Sequence, residues 1–382
     1  VFSLYFHIPF CRKACHYCDF HFSTKLTSVD DMVVAMAREL ALRAPEWTAL
    51  GAPSTVYFGG GTPSVLAPDQ IAFLLSAVRQ RFPDSSFDEV TLEANPDDLD
   101  LERLKGWRAA GVDRLSVGVQ TFDDAALEWM GRTHSGDDAA RALERAAAAG
   151  FERMTLDLMY GLPGRSLAGW KRDLARALEL PINHLSAYLL TVEPRTALGV
   201  RVAKGLEQEA PEAAVETAYS ALCETLSVNG WDHYEVSNFA RPGGHAVHNA
   251  RYWRGVPYLG IGPGAHGFNG TDRYANRPNN PLYLKALADA RSTEALPAEQ
   301  DRLTATDRYN EALMTGLRTA QGLDLGALEV GFGRRPDVEE AREWGDAVSR
   351  GLLVPEGGRW RIPEAQWLIG DAIASAFFAI QD

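Results

Sequence analysis

Cys11, Cys15 and Cys18 fall within eight positions of one another, in YFHIPFCRKACHYCDF, and are three of the chain's four cysteines. Thiolates at this spacing hold soft or borderline metals, chiefly zinc or iron–sulfur clusters. A closed structural zinc site takes four ligands. The fourth cysteine, Cys223, lies far along the chain in a helix-like stretch, where it reads as a small buried residue. Three thiolates on one short loop suit a 4Fe-4S cube that keeps one iron without a protein ligand, much as a catalytic metal keeps an open position. Zinc and a purely structural cysteine group are the alternatives. Phe10, Tyr17, Phe20 and Phe22 surround the loop and would shield a cluster.

Three further groups of residues could do chemistry. YFGGGTPS, residues 57 to 64, has a glycine run that lets backbone approach a ligand closely, or that simply makes a turn. Glu93 in LEANP, Gln120 in SVGVQTF, Arg132 in MGRTHS and Asp157 in LDLMYGLPG are polar groups at or near the ends of β-like runs. Carboxylates there suit hydroxyls and ammonium groups, and Arg132 suits a carboxylate. Each residue taken singly reads as structural; together on one face they read as a site. HNARYW, residues 248 to 253, offers an axial ligand in His248 and flat rings for a porphyrin in Tyr252 and Trp253. A satisfied loop histidine among core aromatics is the alternative, and His245 and His266 are rival ligands in the same glycine-rich region.

The elements that must position these groups follow a rhythm. Short β-rich runs begin near Leu4, Thr55, Glu89, Arg114, Arg153 and His184, with amphipathic stretches between them, several closed by glycine. Six such units predict parallel strands with right-handed crossovers. One face of the runs is aliphatic, as in Leu4, Phe6 and Ile8 or Leu115, Val117 and Val119. The other carries Tyr5, His7, Thr91, Glu93, Asn95, Ser116, Gln120, Thr155 and Asp157, weighted toward the strands' C-terminal ends, where α/β folds bind ligands. The expected core is therefore an α/β partial (β/α)6 barrel with a wet lumen over residues 1–230; a flat doubly wound sheet is the alternative. Residues 231–300 read as an irregular β and loop extension with a connecting helix and linker. Residues 301–382 read as three helices, the hairpin LLVPEGGRWRI and a last helix, an order that resembles a winged helix.

Composition narrows the function. The net charge of −13 on 382 residues argues against a nucleic-acid partner. The winged-helix-like tail has nine Arg and no Lys against fourteen Asp and Glu, which leaves little basic surface for DNA. No apolar run is long enough to span a bilayer, and the first residues read as a strand rather than a leader. Few, clustered cysteines fit a reducing, cytoplasmic setting.

The C-x3-C-x2-C loop, followed by GGGT at the end of the second β-run, resembles the radical S-adenosylmethionine (SAM) superfamily. The resemblance implies that SAM chelates the open iron and is reductively cleaved to a 5′-deoxyadenosyl radical, with an electron donor feeding the cluster. It implies SAM contacts at Tyr5, Tyr17, Gly60, Gly61, Thr62, Glu93, Gln120, Arg132 and Asp157. Thr62 stands where most of the superfamily has Glu, as in the oxygen-independent coproporphyrinogen oxidase family. LMTGLRTAQGLDL near residue 320 is similar to the C-terminal domain of that HemN/HemW family. The oxidases carry a further cysteine two positions after the third; here Phe20 stands there, and together with HNARYW this is the pattern of the family's heme-chaperone branch. That branch implies heme as cargo and apo-proteins of respiratory chains as acceptors, a setting compatible with transient membrane association. The intact triad implies cluster and SAM binding without guaranteeing turnover. The competing implication is radical oxidative decarboxylation of coproporphyrinogen III.

Overall fold

The computed structural model describes residues 1–380. The six anticipated strands form in order: β1 (Phe2–Ile8), β2 (Pro53–Gly60), β3 (Glu89–Ala94), β4 (Arg114–Gln120), β5 (Arg153–Tyr160) and β6 (His184–Leu189). Each pairs in parallel with the next. The crossovers carry helices α1 (Val29–Trp47), α2 (Pro68–Arg81), α3 (Leu101–Ala110), α4 (Asp124–Met130), α5 (Gly136–Ala148) and α6 (Leu167–Glu179). α7 (Ala197–Ala203) and α8 (Glu212–Val228) follow β6. Local chemistry sets their ends. The side chains of Asp100, Ser135 and Ser166 accept from backbone N–H groups in the first turns of α3, α5 and α6, and Gly111 closes α3 at φ 111°.

The aliphatic face of the strands is buried against these helices: Leu4, Phe6, Leu92, Leu115, Val117, Leu156 and Leu158 are wholly inaccessible. The polar face lines an interior. In a flat sheet β2 and β6 would stand roughly 19 Å apart, at about 4.8 Å per strand. Yet Tyr57 of β2 and Tyr188 of β6 border one cavity of about 620 Å³, so the sheet curves into a partial barrel. The sheet stays open, running from an edge at one end to an edge at the other.

The region after residue 230 is more regular than its glycine content suggests. β7 (Asp232–Glu235) and β8 (Asn238–Ala240) add antiparallel strands beyond β6. α9 (Val247–Trp253) leads to β9 (Tyr258–Ile261), which pairs in parallel with β1. β10 (His266–Phe268), β11 (Asp272–Asn276) and β12 (Ala298–Arg302) continue that side, with α10 (Asn280–Asp289) before β12. One sheet of twelve strands results. A buried ion pair holds the extension to the core. Arg43 on α1 meets Glu39 at 2.7 Å, and Glu39 also accepts from Gly262 N, Asn276 Nδ2 and the Tyr283 hydroxyl.

The C-terminal part comprises α11 (Ala305–Leu317), α12 (Leu325–Phe332), α13 (Pro336–Glu339), α14 (Ala341–Ser349), the hairpin β13 (Val354–Glu356) and β14 (Arg359–Arg361), and α15 (Gly370–Ser375). Gly357 and Gly358 turn the hairpin with positive φ, as a two-residue loop requires. The stretch read as one helix around residue 340 divides into α13 and α14, since Glu340 leaves helical geometry at φ −105°. Among the described residues no helix is long and apolar enough to cross a membrane.

Candidate functional site

The cysteine loop leaves β1 at the C-terminal rim of the barrel and is tied down on two sides. Cys11 N donates to Ser23 O, and Ser23 N donates back to Pro9 O. His16 N donates to Met130 O, the His16 ring to Trp129 O, and Leu198 N to His16 O. The loop is thus held by α4 and α7, two short helices that periodicity did not single out. The glycine run seats against the same loop. Gly61 N donates to Ile8 O and Thr62 N to Phe10 O at 2.7 Å. A Cβ on Gly61 would sit 2.6 Å from the Phe10 carbonyl oxygen, so only glycine fits. Here the glycine serves close approach of backbone to backbone. Thr62 Oγ1 donates to Cys11 Sγ at 3.3 Å, and Arg132 Nη1 to Cys15 Sγ at 3.7 Å.

The cavity of about 620 Å³ is lined by all three cluster-loop cysteines together with Tyr17, Gly60, Gly61, Thr62, Glu93, Gln120, Arg132 and Asp157. Residues from the loop and from β2 to β5, separated by up to 146 positions, therefore meet in one place. Tyr5 lies behind this wall, its ring 6.0 Å from that of Tyr57. Its hydroxyl donates to His7 Nδ1 at 3.3 Å, because His7 Nε2–H is committed to His21 O at 3.0 Å. Burial pushes the His7 imidazole down to about 4, so it is a neutral hydrogen-bonding group. Phe10 is buried and Tyr17 and Phe22 half-buried; Phe20, expected to shield the loop, is 71% exposed at the cavity mouth.

Two carboxyl groups set the electrostatics. Burial raises Glu93 to about 7, against the hydrogen bonds it accepts from Tyr57 OH at 2.8 Å and Gly60 N at 3.2 Å. Burial likewise raises Asp157 to about 6, against hydrogen bonds from Ser186 and Ser116. A cation between these groups would stabilise their ionised forms. Gln120 adopts φ 72°, rare for a residue with a side chain, at an irregularity in the β4–β5 register. That kink turns its side chain into the cavity, 2.8 Å from where a Gly118 Cβ would stand. Arg132 Nη2 donates to Asn95 Oδ1 at 2.8 Å and to Gly118 O, which fixes the guanidinium beside Cys15. Tyr57, Asn95, Ser116 and Tyr188 also line the cavity. Their signal was period two: Tyr57 shares its strand face with Thr55 and Gly59, and Tyr188 with Ser186.

HNARYW forms α9 at the other end of the lumen. His248 is buried, with Nδ1 2.9 Å from Thr55 Oγ1 and Nε2 3.1 Å from Tyr252 OH. Burial lowers it to about 3, so it is neutral. The Glu89 carboxylate of β3 accepts from Val247 N and His248 N and pairs with buried Arg114, pinning the start of α9 to the core. Tyr252 faces inward, while Trp253 faces a second cleft of about 1180 Å³ between α9, β7 and the C-terminal part. His245 borders that cleft, stacked on Tyr234 at 4.4 Å and 3.6 Å from Asp232 Oδ2. The exposed His266 is not among the residues lining either cavity.

A three-cysteine loop at the rim of a partial barrel, over buried carboxyl groups and a fixed arginine, defines a radical SAM-type core. A family model described as the Radical SAM superfamily matches residues 5–177, and one described as the HemN C-terminal domain matches residues 303–369. "Heme chaperone HemW" of Bacillus subtilis is 34% identical over 98% of each chain. The protein of the same name in Mycobacterium tuberculosis strain H37Rv is 39% identical over 97% of this chain and 93% of that one. A mouse protein, "Radical S-adenosyl methionine domain-containing protein 1, mitochondrial", is 43% identical over 92% of this chain and 81% of that one. The solved coproporphyrinogen III oxidase HemN from Escherichia coli superposes with a TM-score of 0.84 over 99% of this chain and 90% of that chain, at 23% identity, a likeness of fold. The chain belongs to the radical SAM superfamily and, within it, to the HemN/HemW family. Membership implies a 4Fe-4S cluster and SAM, and the donor set fits both: three thiolates without a fourth, and paired carboxyls suited to a cationic ligand.

Proposed function

We propose that this protein is a heme chaperone of the HemW type, which binds heme, a 4Fe-4S cluster and SAM and passes heme to apo-proteins such as those of respiratory chains. The observation that carries this reading is end-to-end similarity to HemW-named relatives, joined to Phe20 at the position where the oxidases have a further cysteine. Cys11, Cys15 and Cys18 hold the cluster. Glu93, Asp157, Gln120 and Arg132 hold SAM, with Gly60, Gly61, Thr62 and Tyr17 around it and Tyr5 behind the wall, supporting Tyr57. When bound, the cluster supplies electrons and an open iron for SAM. Glu93 and Asp157 give up protons to accommodate the ligand's positive charge, and Arg132 stays beside the loop sulfur as a fixed counter-charge.

The cleft of about 1180 Å³ supports a porphyrin site apart from the SAM cavity. Trp253 offers it a flat face, and Arg254 a cation for propionates. His248 as axial ligand must release Thr55 and Tyr252. His245 is half-exposed at the cleft, and Asp232 stands where it can orient the ring. We therefore propose His245 as the ligand, with His248 and Tyr252 positioning α9. Heme titration followed by the Soret band tests this. His245→Ala is expected to move the Soret maximum of the bound state, and His248→Ala to weaken binding while keeping that maximum. No heme binding by the parent chain overturns the chaperone reading, and anaerobic conversion of coproporphyrinogen III by the reconstituted protein replaces it with the oxidase reading.

A further inference from the structure

The fourth cysteine packs half-buried at the edge of the core, as a small residue of α8, and also meets two further donor side chains. Cys223 on α8 is half-buried and its Sγ lies 3.9 Å from His233 Nδ1 on β7. His233 Nδ1 in turn meets Glu364 Oε1 at 2.5 Å, in the turn that follows β14. One donor atom from each of the three residues lies within 4.8 Å of the other two. The ring is rigidly placed: stacked on Phe239 at 3.8 Å, edge-on to Trp367 at 4.3 Å, and 7% exposed. Its Nε2 points to Val236 O at 3.4 Å, the outer hydrogen bond that commonly orients a metal-bound imidazole and leaves Nδ1 as the donor nitrogen.

The geometry points to a zinc-class divalent metal site formed by Cys223, His233 and Glu364, which clamps the C-terminal part to the core. Thiolate, imidazole and carboxylate are the donors zinc prefers, and three of them leave a fourth position for water. The charges balance: one thiolate and one carboxylate neutralise a dication, so the half-buried site carries no net charge. Binding expels the thiol proton and the proton shared between His233 and Glu364. Tetrahedral zinc holds such donors about 3.3–3.8 Å apart at bond lengths of about 2.0–2.3 Å. The Cys223–His233 separation of 3.9 Å lies just beyond that range and would close slightly on binding; Glu364, 41% exposed, has room to withdraw by about 1 Å toward that spacing. The three ligands come from α8, from β7 and from the turn after β14, so the metal would join stretches otherwise held by side-chain packing and single hydrogen bonds such as Tyr219 OH to Glu364 O.

The test uses the full chain with Cys11, Cys15 and Cys18 all changed to Ser, which removes the cluster-loop thiols. Anaerobic titration with Co(II) is expected to give one equivalent of tetrahedral cobalt with a thiolate-to-metal absorption band, displaced by Zn(II). Adding Cys223→Ser should abolish the band, and Glu364→Gln, at a more exposed position, should weaken binding at least tenfold. Zinc should raise the melting temperature of the triple variant and not that of the quadruple variant. Absence of a thiolate band in the well-folded triple variant, or a band that survives Cys223→Ser, overturns the proposal.

Discussion

Glu93 and Asp157 illustrate how burial sets the protonation of single residues. Both carboxyls hold protons in the folded chain to higher pH than in the unfolded one, Glu93 to about 7 and Asp157 to about 6. The native state therefore binds more protons between about pH 4 and 7, and its stability falls as pH rises through that window. Below it both states are protonated and the groups contribute nothing. Glu93→Gln removes one titration. Urea unfolding of the ligand-free protein at pH 5 and pH 8 should show Glu93→Gln gaining on the parent by on the order of 2 kcal/mol at the higher pH. An equal difference at both values would contradict the assignment. On the proposed SAM site, the same variant should bind SAM more weakly at pH 8, since an ionised Glu93 would receive the cation.

At the scale of elements, α9 depends on a charge that belongs to another strand. Glu89 accepts two N–H groups at the helix start and neutralises Arg114, and both side chains are essentially inaccessible. Glu89→Ala leaves a buried guanidinium and two helix donors without their partner, which should cost about 3–5 kcal/mol in urea unfolding. Glu89→Leu combined with Arg114→Met removes both charges and should cost much less than the sum of the single changes. If the double variant is as unstable as that sum, the pair does not act as a unit. On the proposed heme site, binding should weaken with Glu89→Ala, because α9 contributes Trp253 to the wall of the cleft.

Across the whole molecule, distant segments meet through a few buried polar centres. Glu39 draws together α1, the turn after β9, β11 and α10, and Tyr283 donates to it at 2.6 Å. Tyr283→Phe removes one hydrogen bond to a charged group, worth about 1.5–3 kcal/mol. Hydrogen exchange should quicken over residues 258–302 and stay unchanged over β3 to β5. Uniform quickening would mean that the extension and the core open together rather than separately.

Much of this was legible in the sequence, because local chemistry wrote it there. Period-two patterning separates the packed face of β1 to β5 from the wet one, and side-chain caps and closing glycines mark the helices. The cysteine spacing reads as a metal loop from the sequence alone. Other features needed the third dimension, since they depend on segments far apart in the chain. α4 and α7 clasp the cysteine loop through backbone bonds that carry no residue signature. β9 joins β1 in parallel across more than 250 positions, so a stretch that reads only as irregular β and loop becomes part of the main sheet. From HNARYW alone His248 reads either as an axial ligand or as a satisfied histidine; its hydrogen bonds to Thr55 and Tyr252 come from tertiary packing. Cys223, His233 and Glu364 share no motif at all. Periodicity reports which face of an element is buried; only tertiary packing decides which polar group each face meets.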